Sequence, residues 1–276
     1  MRWPTTAAPP PSAGPPVNDK TPRVIVHADD FGLHPALNEG IERAHREGVV
    51  SSASVMPLGA AFGDAARRAA AMPALDLGLH FTLVGVPGFP PTLGAFLSGY
   101  ARGAWPARRV ADALRAQMDA LGGLEISHLD SHQHLHALPS IMRVVCPLAA
   151  GYGIRAVRLP LDGPALVPVL PARRVQAAAL AAMARLSRRY IAAAGLRTSD
   201  HFSGMAVSGH LTAPTLATYL QDARPGLTEI VCHPGADNRA LSQAFDWSYD
   251  WEGEIAALCS PEAQAATTPF TNWREG

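Results

Sequence analysis

The chain has 276 residues, 48% of them hydrophobic, enough for one large core, and its 23 basic and 23 acidic residues cancel. That balance excludes the broad positive footprint of a nucleic-acid binder. No run approaches the ~18 consecutive apolar residues of a membrane span, and three cysteines without CxxC spacing fit a reducing compartment, so the cytoplasm is the expected location.

Residues 1–21 hold six prolines and no apolar run, which predicts a disordered Pro-rich tail ahead of a single domain over 22–276. RVIVHADD (23–30) is a β-branched strand ending in acids, and 35–48 has helical apolar spacing with a terminal glycine. The rhythm repeats with a strand at 49–57, a helix at 60–72 and a strand at 75–83. A Gly/Pro-rich loop (84–94) leads to a helix at about 106–121, a fourth strand at 125–132, a helix at 139–153 and a fifth strand at 156–160.

A long amphipathic helix over 171–195 carries arginines largely off its apolar stripe. A sixth strand follows at 199–205, then a helix at 214–220, a buried seventh strand at 227–235, a weaker helix at about 250–258 and a last short strand around 270–273. Strands alternating with helices imply an α/β fold with mostly parallel strands, and seven or eight such units favour an irregular TIM-like (β/α) barrel.

In such a barrel function collects where strands end. Asp29 and Asp30, His80, the histidines opening at 128, Arg158, Asp200 with His201, and His233 all fall there. In an extended strand His128, Asp130, His132, His134 and His136 would all point to one face. Consecutive Asp29 and Asp30 would point oppositely, one towards a cation and one towards substrate, or they would cap the following helix. His80 read alone is a core histidine; with the 128–136 cluster it suggests an Asp/His/His set with open positions. A divalent ion there is hydrolytic equipment, with Asp29 as base and His233 as acid for amide hydrolysis. Arg158 could pair with Asp29 and hold it ionised, or lie on the surface. Cys232, next to His233, faces the other way and reads as a buried structural thiol.

These stretches, ADDFGLHPALNEGI (28–41), GLHFTL (78–83), HLDSHQHLHALP (128–139), DHFSG (200–204) and TEIVCHPG (228–235), resemble the YdjC-like carbohydrate deacetylases, a group that includes chitooligosaccharide and hopanoid-biosynthesis deacetylases. The resemblance implies a TIM-like barrel that removes acetyl from an N-acetylated sugar, in a chitooligosaccharide or a glycolipid, using a divalent metal (Zn, Mg, Co or Ni). It assigns Asp30, His80 and His132 as metal ligands, Asp29 as base and His233 as acid or transition-state stabiliser. His128, Asp130, His134, His136 and His201 would shape the surroundings or the sugar pocket, with Arg158 supporting Asp29. His34 stands where relatives often carry serine.

Two other classes remain in view. An amidohydrolase-type barrel usually opens its first strand with HxH, whereas this one carries Asp-Asp. A non-catalytic metal- or glycan-binding protein would need neither Asp29 nor His233. Barrels of this kind often pair, which makes a homodimer an expected state, and a glycolipid substrate would put the protein at the periphery of the inner membrane.

Overall fold

A computed structural model describes residues 21–163 and 166–275. The expected Pro-rich tail therefore lies outside the described residues, apart from its last position. The chain runs β1 (Pro22–Phe31), α1 (Pro35–Arg46), β2 (Ser52–Val55), α2 (Phe62–Ala70), β3 (Asp76–Phe81), α3 (Leu93–Ala101), α4 (Ala107–Ala120) and β4 (His128–Ser131). It continues with α5 (Pro139–Gly151), β5 (Ala156–Val157), α6 (Pro171–Ala193), β6 (His201–Ser203), α7 (Ala213–Gln221), β7 (Gly226–Cys232), α8 (Asn238–Ala244), α9 (Trp251–Leu258) and α10 (Pro261–Gln264).

All seven strands are parallel, in the order β5-β4-β3-β2-β1-β7-β6. Single bridges from Ala156 to Arg197 and from Asp162 to Phe202 draw the two edges together, so the sheet curls into an irregular barrel. No helix among the described residues is long and apolar enough to cross a membrane.

Strand alternation divides each strand between two environments. On β1, Val24, Val26 and Ala28 face the helices and join the large core with Ile41 and Ala44 of α1. Ile25 meets Leu227 of neighbouring β7, Ala156 of β5 at the far edge of the sheet and Trp273 of the C-terminal segment, and the contact across to β5 is possible only inside the curl. That apolar plug closes one end. Above it the inner face turns polar with His27 and His128, then Asp29, Asp130, Arg158 and Glu229, all buried.

The helices follow their amphipathic patterns. In α1, Leu37, Ile41 and Ala44 repeat at i, i+4 and i+7 and are fully buried; each large aliphatic side chain so placed contributes roughly 1.5–3 kcal/mol. His34 caps the helix, its Nδ1 accepting from the Ala36 N–H at 3.2 Å. That excludes the alternative in which the aspartates serve as the cap.

Three short helices, α3, α8 and α10, were not expected, because glycines or brief length hide their periodicity. The last expected strand is only a bridge from Phe270 to Val24, since the chain turns so that Trp273 can seal the curl.

Candidate active site

The site begins with an irregularity in β1. Ala28 pairs with Ala53 and Phe31 with Val55, so Asp29 and Asp30 together oppose one residue of β2. This is a β-bulge. Asp30 sits at φ 69°, a left-handed conformation that aspartate tolerates better than most residues. The extra residue breaks the alternation, and both carboxylates line the same cavity. The expectation that they point oppositely is therefore corrected. Gly32, at φ 104°, completes the turn, its N–H donating to Asn38 Oδ1 at 2.7 Å.

His80 comes from β3, where it pairs with Asp130 of β4. Its Nδ1 lies 2.8 Å from Asp130 Oδ1, and its Nε2 lies 3.2 Å from Asp30 Oδ1. A carboxylate gripping one ring nitrogen fixes the ring and aims the other nitrogen into the site. Ser54 donates to Asp130 Oδ2 at 2.9 Å.

His132 follows β4, and its Nδ1 lies 2.8 Å from Asp30 Oδ1. One donor atom each from Asp30, His80 and His132 falls within a 4.8 Å span. Nitrogen and oxygen ligands at about 2.0–2.2 Å around a tetrahedral ion stand roughly 3.4 Å apart. The donor set thus matches a divalent ion in both chemistry and spacing.

The histidine-rich segment does not behave as one strand face. β4 ends at Ser131, and residues His132–Ala137 form a 3-10 turn in which Gln133 and His134 both take φ 54°. Two successive left-handed non-glycine residues cost of order 1–3 kcal/mol each. The turn separates the histidines. His132 and His134 line the cavity. His136 is turned inward, its ring held by Ser131 Oγ at 2.6 Å and the Arg158 carbonyl at 2.9 Å. His128 lies deeper, stacked on Trp273 and edge-on to His27. His201 lines a separate cleft and contacts the Pro225 carbonyl at 3.3 Å. These three rings do not reach the cavity.

Arg158 is fully buried beneath the site. It donates to Asp29 Oδ2 and Oδ1 at 2.9 and 2.8 Å, to Glu229 at 2.8 Å, and lies 2.8 Å from Asp130 Oδ2. One guanidinium therefore balances three carboxylates, and the surface reading of Arg158 is excluded. Burial pushes the Asp29 carboxyl up, but Arg158, with His80 and His27, outweighs it and holds Asp29 below the usual carboxylate range. Burial also raises Asp30, yet His132 and His80 keep it well below that range. Burial lowers His80, but Asp130 and Asp29 overcome this and push it up to about 10. Burial, with Arg158 nearby, pushes His134 down to about 3, so its ring stays neutral.

His233 follows β7 in the CHPG turn, with Nε2 4.0 Å from Asp29 Oδ2. Its Nδ1 lies 3.4 Å from Ser208 Oγ, which in turn lies 3.0 Å from the Tyr249 hydroxyl. Its backbone N–H donates to Glu254 at 2.5 Å. Cys232 points away, its thiol donating to the His27 carbonyl at 3.3 Å, and burial raises it well above the ordinary thiol range. Opposite stand Trp247 and Tyr249, on the wall of a cavity of about 260 Å³.

Sequence reasoning missed His27, Glu229, Ser208, Tyr249, Trp247 and Glu254. Two of them had a visible signal, since His27 precedes Asp29 by two positions on one strand and Glu229 stands alone in an apolar one. The aromatics recur at alternate positions in FDWSYDW, a spacing that needed the cavity to give it meaning.

These features define a class: a parallel α/β curl whose strand ends carry a buried Asp/His/His donor set beside an arginine-clamped carboxylate. The chain belongs to the YdjC-like protein family, whose model matches residues 23–268. It is 38% identical over 266 residues to a chitooligosaccharide deacetylase of Salmonella schwarzengrund, covering 88% of this chain and 93% of that one. A human carbohydrate deacetylase is 32% identical over 284 residues, covering 88% and 86%. A crystal structure from Enterococcus faecalis V583, described as a candidate cellobiose-phosphate cleavage protein, shares the fold with TM-score 0.73 at 22% identity, covering 92% and 98%.

Proposed function

We propose that the protein hydrolyses the acetamido group of an N-acetylated sugar with a divalent metal ion held by Asp30, His80 and His132. The observation that carries this reading is the convergence of those three donors beside an Asp29 that Arg158 keeps ionised. The deacetylase relatives supply the substrate class, a GlcNAc-type unit of a chitooligosaccharide or of a glycolipid such as an N-acetylglucosaminyl hopanoid. A cytoplasmic location and a homodimer belong to the same proposal.

A bound cation supplies Lewis acidity, polarising the acetyl carbonyl and lowering the pKa of water towards about 7. Asp29 takes the proton of the attacking water, which adds to the acetyl carbon. Arg158 prevents Asp29 from taking that proton prematurely and fixes its two oxygens. His233 gives a proton to the nitrogen as the C–N bond breaks, releasing acetate and a free amine. Ser208, itself bonded to the Tyr249 hydroxyl, holds His233 Nδ1 so that Nε2 faces the reaction. Trp247 offers an aromatic face to the pyranose ring.

The test is acetate release from N-acetylated chitooligosaccharides by chelator-stripped protein reloaded with Zn, Mg, Co or Ni. Activity should appear only on reloading and fall at least about a hundredfold in Asp29→Asn. Undiminished turnover in a combined Asp30→Ala, His80→Ala, His132→Ala protein would end the proposal.

A further inference from the structure

The molecule leaves few large apolar side chains exposed, and three of them, Leu97, Leu170 and Val175, stand within a turn of residues that line the cavity. Among the described residues the exposed ones are Leu97, Tyr152, Leu166, Leu170, Val175 and Leu186, with Leu170 72% and Val175 69% exposed. Arg173 and Gln176, in the first turns of α6, line the cavity, as does Leu93, one turn before Leu97 on α3. Leu170 and Val175 stand within a turn of those lining residues. A cluster of exposed aliphatics beside a binding cavity marks an interaction surface.

α6 extends that surface. At about 100° per residue, Val175, Ala179, Ala182 and Leu186 fall on one stripe, and all four are exposed. Arg174, Arg185 and Arg189 flank the stripe on one side, with Arg188 just beyond. The helix carries five arginines and no acidic residue in 23 positions, within a chain whose charges cancel only when these are counted. No carboxylate among the described residues pairs with them. An apolar stripe edged by arginines is the signature of a helix lying in a bilayer interface.

We infer that the outer face of α6, with Leu170 and Val175 at its cavity end, docks the protein onto a bilayer surface rich in anionic lipid. The arginines meet the negative headgroups while the aliphatic stripe enters the boundary with the acyl chains. A two-fold contact between copies through this face would set five arginines against five, so charge favours lipid over self-association. Docked in this way, the cavity mouth opens at the lipid surface, where the headgroup of an amphiphile reaches it without leaving the bilayer. The docking surface stands independently of the reaction proposed above.

The experiment is co-sedimentation of the full chain with vesicles of phosphatidylcholine alone or with about one-third phosphatidylglycerol. Wild type should pellet with the anionic vesicles and release as salt rises, because screening shortens the reach of the charges. Each arginine removed should weaken binding by about fivefold, so Arg174→Gln, Arg185→Gln, Arg188→Gln and Arg189→Gln combined should abolish it. Leu170→Ser with Val175→Ser and Leu186→Ser should weaken it at least tenfold, with thermal unfolding and acetate release from a soluble N-acetylated oligosaccharide unchanged. Wild-type protein that stays in the supernatant overturns the inference, as does binding indifferent to these substitutions. Loss of a dimer in the same variants, without vesicle binding by wild type, reassigns the face to self-association. Sedimentation needs no turnover, so failure of the deacetylase reading would leave its outcome intact.

Discussion

Arg158 and Asp29 are joined by two parallel hydrogen bonds of 2.8 and 2.9 Å inside the curl, where Arg158 is fully buried and Asp29 shows only an edge to the cavity. Removing the guanidinium would take away the one charge that Asp29, Asp130 and Glu229 share. Breaking a buried pair of this kind costs about 3–5 kcal/mol. Arg158→Gln should therefore lose stability on that scale in urea unfolding. Arg158→Lys keeps the charge but not the planar fork, so it should retain more stability than the glutamine variant while kcat still drops at least tenfold.

Asp130 acts through His80 and does not line the cavity. Asp130→Asn would replace a carboxylate by a weaker acceptor on His80 Nδ1, loosening the ring that faces Asp30. Losing such an outer partner typically reduces metal affinity by about 10- to 100-fold. Isothermal titration of the stripped protein with zinc should show that reduction, and an unchanged affinity would refute the link.

Gly40 of α1 touches the turn that carries His233, since a Cβ there would lie 2.5 Å from Gly235 Cα. Backbone atoms cannot move aside as a flexible side chain would. Gly40→Ala should displace the turn, cost about 1–3 kcal/mol by overpacking, and lower kcat more than it lowers metal affinity. Comparing the two measurements separates a shift of His233 from general damage.

Asp162, near the β5–β6 closure, accepts from the Ala206 N–H at 3.1 Å, and burial pushes its pKa up to about 6. The unfolded chain titrates this group near 3.8, so the native state holds the proton more tightly. Its stabilising contribution is complete below about pH 4 and is lost as pH rises through about 6. Asp162→Asn should remove the dependence and gain about 1–2 kcal/mol at pH 8 relative to wild type, allowing for partial exposure. Denaturant midpoints for both proteins at pH 4 and pH 8 check the sign.

Much of the architecture was legible because periods of two and 3.6 differ sharply along this chain. The strands at 23–30, 75–83 and 227–235 and the helices at 35–48 and 171–195 need only that contrast. The elements that stayed hidden obey other controls. Whether Asp29 and Asp30 diverge or converge depends on one bulge, and its left-handed residue is tolerated because the Gly32–Asn38 turn holds it. The five-residue alternation from His128 fails after Ser131 because Gln133 and His134 adopt conformations that no pattern of polar residues announces. Tertiary demands also decided that Trp273 would fill the base of the curl instead of extending a strand.

The bulge in β1 makes the parity of the chain a chemical variable. The residues between Ala28 and Phe31 are Asp29 and Asp30 alone, so deleting either would restore regular pleating and leave a single inward carboxylate opposite Ser54 where the cavity now has two. Length changes in the outer loops alter only surface, whereas the loss of one residue here would leave one acid to do the work of two. Length at this point is therefore as strictly specified as the identity of any single donor.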